Sequence, residues 1–175
     1  MAKIRKKRTD KELVDVSEHL LYEIQMLFGT AQAMGTLDLE GENDVRRWAI
    51  RNALVESFTV HARILLDFLY STEPKPDDVI AEDFFDNGST WLQYRPAKTQ
   101  LLATIHKRVG KEVAHLTYAR LAVIPEAKQW HFVNIANEIS AVLEKFLRLV
   151  PASRVSDSFR RFISQIIGAE GRATV

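Results

Sequence analysis

The apolar residues of this chain recur every three or four positions over long stretches, and this period constrains the fold more than any other feature. In the first stretch the pattern runs from Leu13 to Ala31, after a capping residue at Thr9 or Asp10. Such spacing puts the apolar side chains on one face of a helix, which other elements must cover. We expect Gly35 to end this helix.

The same period predicts three more long helices. The second runs from near Asn43 to about Tyr70, with Trp48 on its apolar side. The third begins after Pro96. Pro125 lies near the start of the fourth, where proline is tolerated.

The remaining segments complete an all-α prediction. Pro151 should stop the fourth helix, and Ser156 should cap a shorter fifth helix. The connection between helices 2 and 3 contains three large aromatic residues, Phe84, Phe85 and Trp91. We expect a helical turn near residues 78–84 and a packed, structural role for this connection. The predicted fold is an antiparallel four-helix bundle with an additional short C-terminal helix and this long aromatic-containing connection.

Length and composition indicate a single globular domain. The chain has 175 residues, of which 46% are hydrophobic. We expect the helical domain over residues 10–168, with a basic flexible tail over residues 1–9 and a flexible tail over residues 169–175. Because the net charge is only +1, no overall field attracts nucleic acid or a membrane surface. Any such binding has to come from a local patch.

The absence of cysteine narrows the possible chemistry. It excludes disulfides, thiolate metal sites and a cysteine nucleophile. No uninterrupted apolar run reaches the length of about 18 residues that a membrane span needs. The basic N-terminus is followed by an acidic helix start, which is not the pattern of a signal peptide. We therefore expect a cytoplasmic protein without a membrane partner.

Polar side chains interrupt the most apolar part of the second helix. His61 falls in line with core positions, so it should point into the core or a groove. Glu56 and Arg63 share another side, and Asp67 follows Arg63 by one turn. One interpretation is an ion-pair network of Glu56, Arg63 and Asp67 that fixes helix register. The other is a polar pocket between helices, with Tyr118 as a further member.

The stretch KRVGKEVAHL, residues 107–116, carries the sharpest functional signal. Arg108 and His115 are seven residues apart, which is almost two helical turns, so both would point the same way. Such a histidine could move a proton and such an arginine could stabilise a phosphoryl transition state. The same pair could also be a hydrogen-bonded edge of the bundle. Glu112 and His115 match half of a di-iron motif, but no second half exists, so no metal or other cofactor is predicted.

The predicted bundle, the Arg108-VGKEVA-His115 motif and the stretches ALVESFTVHARILLDFLY and KEVAHLTYARL resemble the HEPN superfamily of helical proteins. The resemblance implies either a metal-independent endoribonuclease or a non-catalytic nucleotide-binding or scaffolding relative. In an active member, His115 would be the acid and base and Arg108 would stabilise the phosphate. The resemblance also implies a homodimer that binds RNA or a nucleotide, in a toxin–antitoxin or phage-defence setting.

Two alternatives remain open at the level of sequence. The bundle could bind a protein partner without catalysis, through the fifth helix and the aromatic connection. It could also bind a small molecule or a metal ion, with His61 and His115 in the site.

Overall fold

A computed structural model describes residues 5–37, 44–86, 90–113, 118, 121 and 130–170. No described residue lies in a β-strand, so the prediction of an all-α fold is confirmed. None of the described helices is long and apolar enough to cross a membrane. The bundle arrangement and the single domain over residues 10–168 stay predictions.

The helices follow one another in a simple order. The α-helices are α1 (Asp10–Thr36), α2 (Val45–Tyr70), α3 (Trp91–Tyr94), α4 (Gln100–Arg108), α5 (Phe132–Leu149) and α6 (Asp157–Glu170). Single 3₁₀ turns occupy Ala81–Phe84 and Ala152–Arg154, and a π-helical turn, Val109–Val113, continues directly from α4. The predicted turn near residues 78–84 is confirmed. Pro125, the predicted start of the fourth helix, lies outside the described residues.

Side-chain caps set several of these helix starts. The Thr9 hydroxyl accepts the N–H of Glu12, and the Glu12 carboxylate accepts the N–H of Thr9 at 2.7 Å, which makes a reciprocal capping box. Asp44 caps α2 by accepting the N–H of Arg46 at 2.9 Å. The Ser156 hydroxyl caps α6, as its position before an apolar period predicted.

The internal contacts of the chain divide it into two compact units. Unit 1 comprises residues 1–22, 68–96 and 142–175, and unit 2 comprises residues 23–67 and 97–141. Helices α1, α2 and α5 contribute residues to both units.

Unit 1 is built around the ring of Phe146, which is fully buried. This ring makes edge or T-shaped contacts with four other aromatic rings, at centroid distances of 5.2 to 5.9 Å: Phe68, Phe84, Phe85 and Trp91. Three of the four rings come from the connection that follows α2. The Trp91 indole also donates a hydrogen bond to the Leu69 carbonyl at 2.8 Å. The connection is therefore part of the unit 1 core, as its aromatic content predicted.

A buried arginine fixes three segments of unit 1. The Arg154 side chain is only 10% exposed. Its guanidinium donates to Asp10 at the start of α1, to Asp86, and to the buried Phe84 carbonyl at 3.1 Å. The planar fork of arginine spreads its donors over three nitrogens, each of which serves one partner here, whereas a lysine would have to donate from a single nitrogen. Burial alone would lower the pKa of Arg154, but the hydrogen bonds and charges of Asp86 and Asp10 raise it.

Part of the predicted basic tail also packs against unit 1. Arg5 donates to the carbonyls of Lys75 and Asp78 at 2.6 and 2.9 Å, and it forms a two-bond ion pair with Asp83. Arg8 donates to another carbonyl of the same connection. Residues of this tail therefore hold the connection between α2 and α3.

The core of unit 2 is aliphatic with one aromatic pair. Phe58 and Phe132 meet edge to face at 5.0 Å between ring centroids. Its other buried apolar residues are Ile24, Leu27, Ala62, Leu65, Leu66, Leu102, Ile105, Val109, Ile135, Ala136 and Ile139. The prediction that Trp48 belongs to the apolar side of α2 is wrong, because this side chain is 64% exposed. All residues from Asp44 to Arg51 are exposed, so the first turns of α2 are not covered by the core.

The Arg154 network leads to a stability prediction. Asp10 and Asp86 are more than half exposed, so they remain solvated when the guanidinium is removed. The Phe84 carbonyl is buried and would lose its bond. We expect Arg154→Met to lower the free energy of unfolding by about 1–3 kcal/mol, measured by urea denaturation. Arg148→Met, which breaks a surface pair with Glu144, is the control and should cost about 1 kcal/mol or less. Equal losses would contradict the proposed importance of Arg154.

The capping box leads to a pH prediction. Hydrogen bonds from the backbone N–H and then the hydroxyl of Thr9 lower the pKa of Glu12. A lowered pKa in the folded state stabilises the protein above the ordinary pKa, and this stabilisation disappears as pH falls through the folded value. We expect Glu12→Gln to be less stable than wild type at pH 7, with a difference that shrinks as pH falls below the ordinary carboxylate pKa, by urea denaturation. Glu18→Gln, an exposed α1 position, is the control, and a difference for Glu12→Gln that does not change with pH would contradict the prediction.

Candidate functional site

The candidate site lies where α4 changes into the π-helical turn of unit 2. The α-helix ends at Arg108, and Val109–Val113 adopts the wider π geometry. A π-helical turn takes in more residues than an α-helical turn, so seven positions no longer correspond to two turns. The prediction that Arg108 and His115 share a helical face assumed regular α-helical geometry between them, and it stays a prediction. His115 itself lies outside the described residues.

Arg108 is held from two sides. Its Nε and one Nη donate to the two carboxylate oxygens of Glu112, both at 2.9 Å. Its guanidinium carbon also lies 4.1 Å from the centroid of the Trp130 ring, which is a cation–π contact. The Arg108 side chain is 19% exposed, so solvent still reaches it. Glu112 is its counter-charge, one helical turn away in sequence.

A second arginine reaches the same turn from α2. A Cβ added at Gly110 would lie 3.0 Å from an Nη of Arg63, so the glycine allows the guanidinium to approach the backbone closely. Arg63 also pairs with Asp67 at 3.6 Å. The Asp67 carboxylate is in turn hydrogen-bonded to His106 Nε2 at 2.7 Å. We call the following set the π-turn cluster: Arg63, Asp67, His106, Arg108, Gly110 and Glu112.

The predicted ion-pair network on α2 is only partly present. Arg63 and Asp67 form a pair, whereas the side chain of Glu56 is exposed and forms no ion pair among the described residues. The third member is His106, on α4. Asp67 and His106 are 39 positions apart. No local spacing could have predicted this contact, because it depends on how α2 and α4 pack.

His61 lies where the sequence predicted, on a side of α2 with little exposure. Its Nδ1 lies 2.5 Å from the Glu23 carboxylate on α1. The pairing satisfies a nearly buried histidine, which favours a structural role. Tyr118 is 92% exposed and so lines no enclosed pocket.

The π-turn cluster is suited to bind an anion. Within residues 106–112 and on the facing part of α2, the cationic side chains are Arg63, Lys107, Arg108 and Lys111, and the carboxylates are Asp67 and Glu112. The π-turn cluster itself holds two arginines and two carboxylates, and the positive balance of this region comes from the neighbouring Lys107 and Lys111. Arginines present planar forks that match phosphate oxygens. Among the described residues, no group of three or more acidic or histidine side chains is placed to hold a metal ion.

Comparison with known protein families, with curated proteins and with solved structures gives no match to this chain.

Gly110 allows a direct test of the contact between α2 and the π-helical turn. We expect Gly110→Ala to displace the Arg63 guanidinium, because the new Cβ would crowd its Nη. The guanidinium ends a flexible chain and can move, so the free energy of unfolding should change by no more than about 1 kcal/mol. Chemical-shift changes at Arg63 and His106 in NMR spectra would report the displacement. Gly29→Ala, where nothing lies near the added Cβ, is the control. Unchanged shifts would contradict the contact.

Proposed function

We propose that this chain is an HEPN-like protein that binds the phosphates of RNA at the π-turn cluster and cleaves the RNA through Arg108 and His115 without a metal ion. The observation that carries the proposal is the pair of arginines, Arg63 and Arg108, at one turn, where Lys107 and Lys111 add positive charge. Their origin on two different helices favours a built site over an accidental basic run.

In this mechanism the RNA 2′-hydroxyl attacks its own phosphate. His115 takes the proton from the hydroxyl or returns one to the leaving oxygen, and the product carries a cyclic 2′,3′-phosphate. Arg108 stabilises the negative charge that develops on the phosphoryl oxygens. By resemblance, two such pairs would face each other across a homodimer.

Glu112 has a defined place in this proposal. It neutralises Arg108 while no RNA is bound, and a phosphate oxygen would take over its two hydrogen bonds. His106 is held by Asp67 close to the same turn and would help to orient Arg63 through that carboxylate.

A second candidate function is a non-catalytic interaction protein. The specific observation in its favour is that Arg108 is both ion-paired and packed on Trp130. In this alternative the contacts of Arg108 only stabilise the turn, and the protein acts by binding a partner. The two candidates differ in what removal of the Glu112 charge does.

The first test is RNA cleavage in EDTA by wild type, Arg108→Ala and His115→Ala. We expect wild type to yield cyclic phosphate ends and each variant to be slower by about 10²-fold or more. Arg148→Ala, at a surface ion pair on α5, is the matched control and should cleave at the wild-type rate. Absence of cleavage, or equal cleavage by all four proteins, would overturn the ribonuclease proposal.

The second arm measures binding of a 2′-O-methyl RNA, which cannot be cleaved because its nucleophile is blocked. If the cluster binds phosphate, Glu112→Gln should bind this RNA more tightly than wild type by roughly two- to fivefold, since a competing charge is removed. If Arg108 and Glu112 are only structural, the variant should lose stability with no gain in binding. That result favours the interaction protein.

A further inference from the structure

The first two turns of α2 form an exposed surface that neither the core nor the π-turn cluster uses. We call residues 44–51 the α2 start. It contains three apolar side chains with large exposed fractions, of which Val45 is 77% and Trp48 is 64% exposed, and Ile50 is the third. Exposed apolar side chains in such a group mark a binding surface more often than a single exposed residue does.

The charged side chains of the α2 start are all arginines, apart from the capping residue Asp44. Arg46, Arg47 and Arg51 are exposed. Arg47 pairs with Asp44 at 3.7 Å, but both side chains are about half exposed, so this pair is weak and exchangeable. The surface therefore attracts an anion, and arginine favours one with phosphate oxygens or flat rings.

The arrangement around the helix narrows the class of ligand. At 100° per residue, Arg51 lies about 60° and Arg47 about 100° from Trp48, both on the same side, so these two guanidinium groups lie beside the indole. A helix that lies on a membrane needs its apolar and basic residues on two separate faces. In the α2 start these residues are interleaved around the helix. A protein groove that buried Trp48 would also remove the adjacent guanidinium groups from water, at a cost.

We propose that the α2 start binds single-stranded nucleic acid, with a base stacked on Trp48 and phosphates at Arg47 and Arg51. A single strand fits both the exposed indole and the arginines beside it. An unpaired base offers a flat apolar face to the indole, and the phosphates next to it stay hydrated while they meet the arginines. The surface is separate from the π-turn cluster, and binding here does not require that the cluster is catalytic.

The test is fluorescence anisotropy with labelled (rU)12 carrying 2′-O-methyl groups that block cleavage, (dT)12 and a 12-base-pair duplex, using the full chain. Trp48→Ala should weaken binding of a single strand roughly 5- to 150-fold, as expected for the loss of one stacked base. Tyr94→Ala, an exposed aromatic residue on α3, is the matched control and should bind as wild type does. The comparison of (rU)12 with (dT)12 distinguishes RNA from DNA as the ligand.

A salt titration tests the arginines. For Arg47→Gln combined with Arg51→Gln, the slope of log K against log salt should become shallower by about 1.4, since each phosphate contact to a single strand contributes about 0.7. Arg161→Gln, an exposed arginine of α6, is the control. Circular dichroism checks that each variant is folded, and quenching of wild-type tryptophan fluorescence that Trp48→Ala lacks would locate the contact independently.

Several outcomes would overturn this proposal. The first is that neither single strand binds at low salt. The second is that Trp48→Ala and Tyr94→Ala bind equally well, and the third is that the duplex binds as tightly as the single strands. Failure of the proposed ribonuclease is distinguishable, because it would appear in the Arg108, Glu112 and His115 variants and leave the α2 start variants unchanged.

Discussion

The packing of aromatic rings on Phe146 is the constraint on which unit 1 depends. Four rings meet this one side chain, and three of them belong to the connection after α2. A connection of this length would lose much conformational entropy on ordering, and burial of Phe84 and Trp91 offsets that loss. The polar bonds of Arg154 and Arg5 then fix the same segment from the C-terminal and N-terminal parts of the chain.

Unit 2 has a largely aliphatic core, and polar contacts between residues far apart in the sequence join its helices. His61 meets Glu23, His106 meets Asp67, and Arg63 reaches Gly110. Each contact joins two helices and requires that both have the correct register. The π-helical turn is the local irregularity in this arrangement, and such turns are frequent at functional sites. It brings a positively charged surface together in a nearly neutral chain.

Much of the helical structure could be predicted because caps and apolar periods are local signals. The start of α1 at Asp10, the end of α2 at Tyr70 and the cap at Ser156 follow from residues within a few positions of each boundary. The candidate site was less predictable. Arg108 and Arg63 were identified from the sequence, but Glu23 and His106 were missed as partners, since they meet His61 and Asp67 only through packing.

The sequence by itself determined the all-α fold, some of the helix boundaries and the burial of the aromatic connection. The physical reason is that hydrogen bonding within a helix and the segregation of apolar side chains depend on neighbours three or four residues apart. Only the tertiary structure decided that Trp48 is exposed, that Glu56 is left out of the ion pairs and that Arg108 packs on Trp130. Those outcomes depend on which surfaces meet, and a helical wheel contains no information about that.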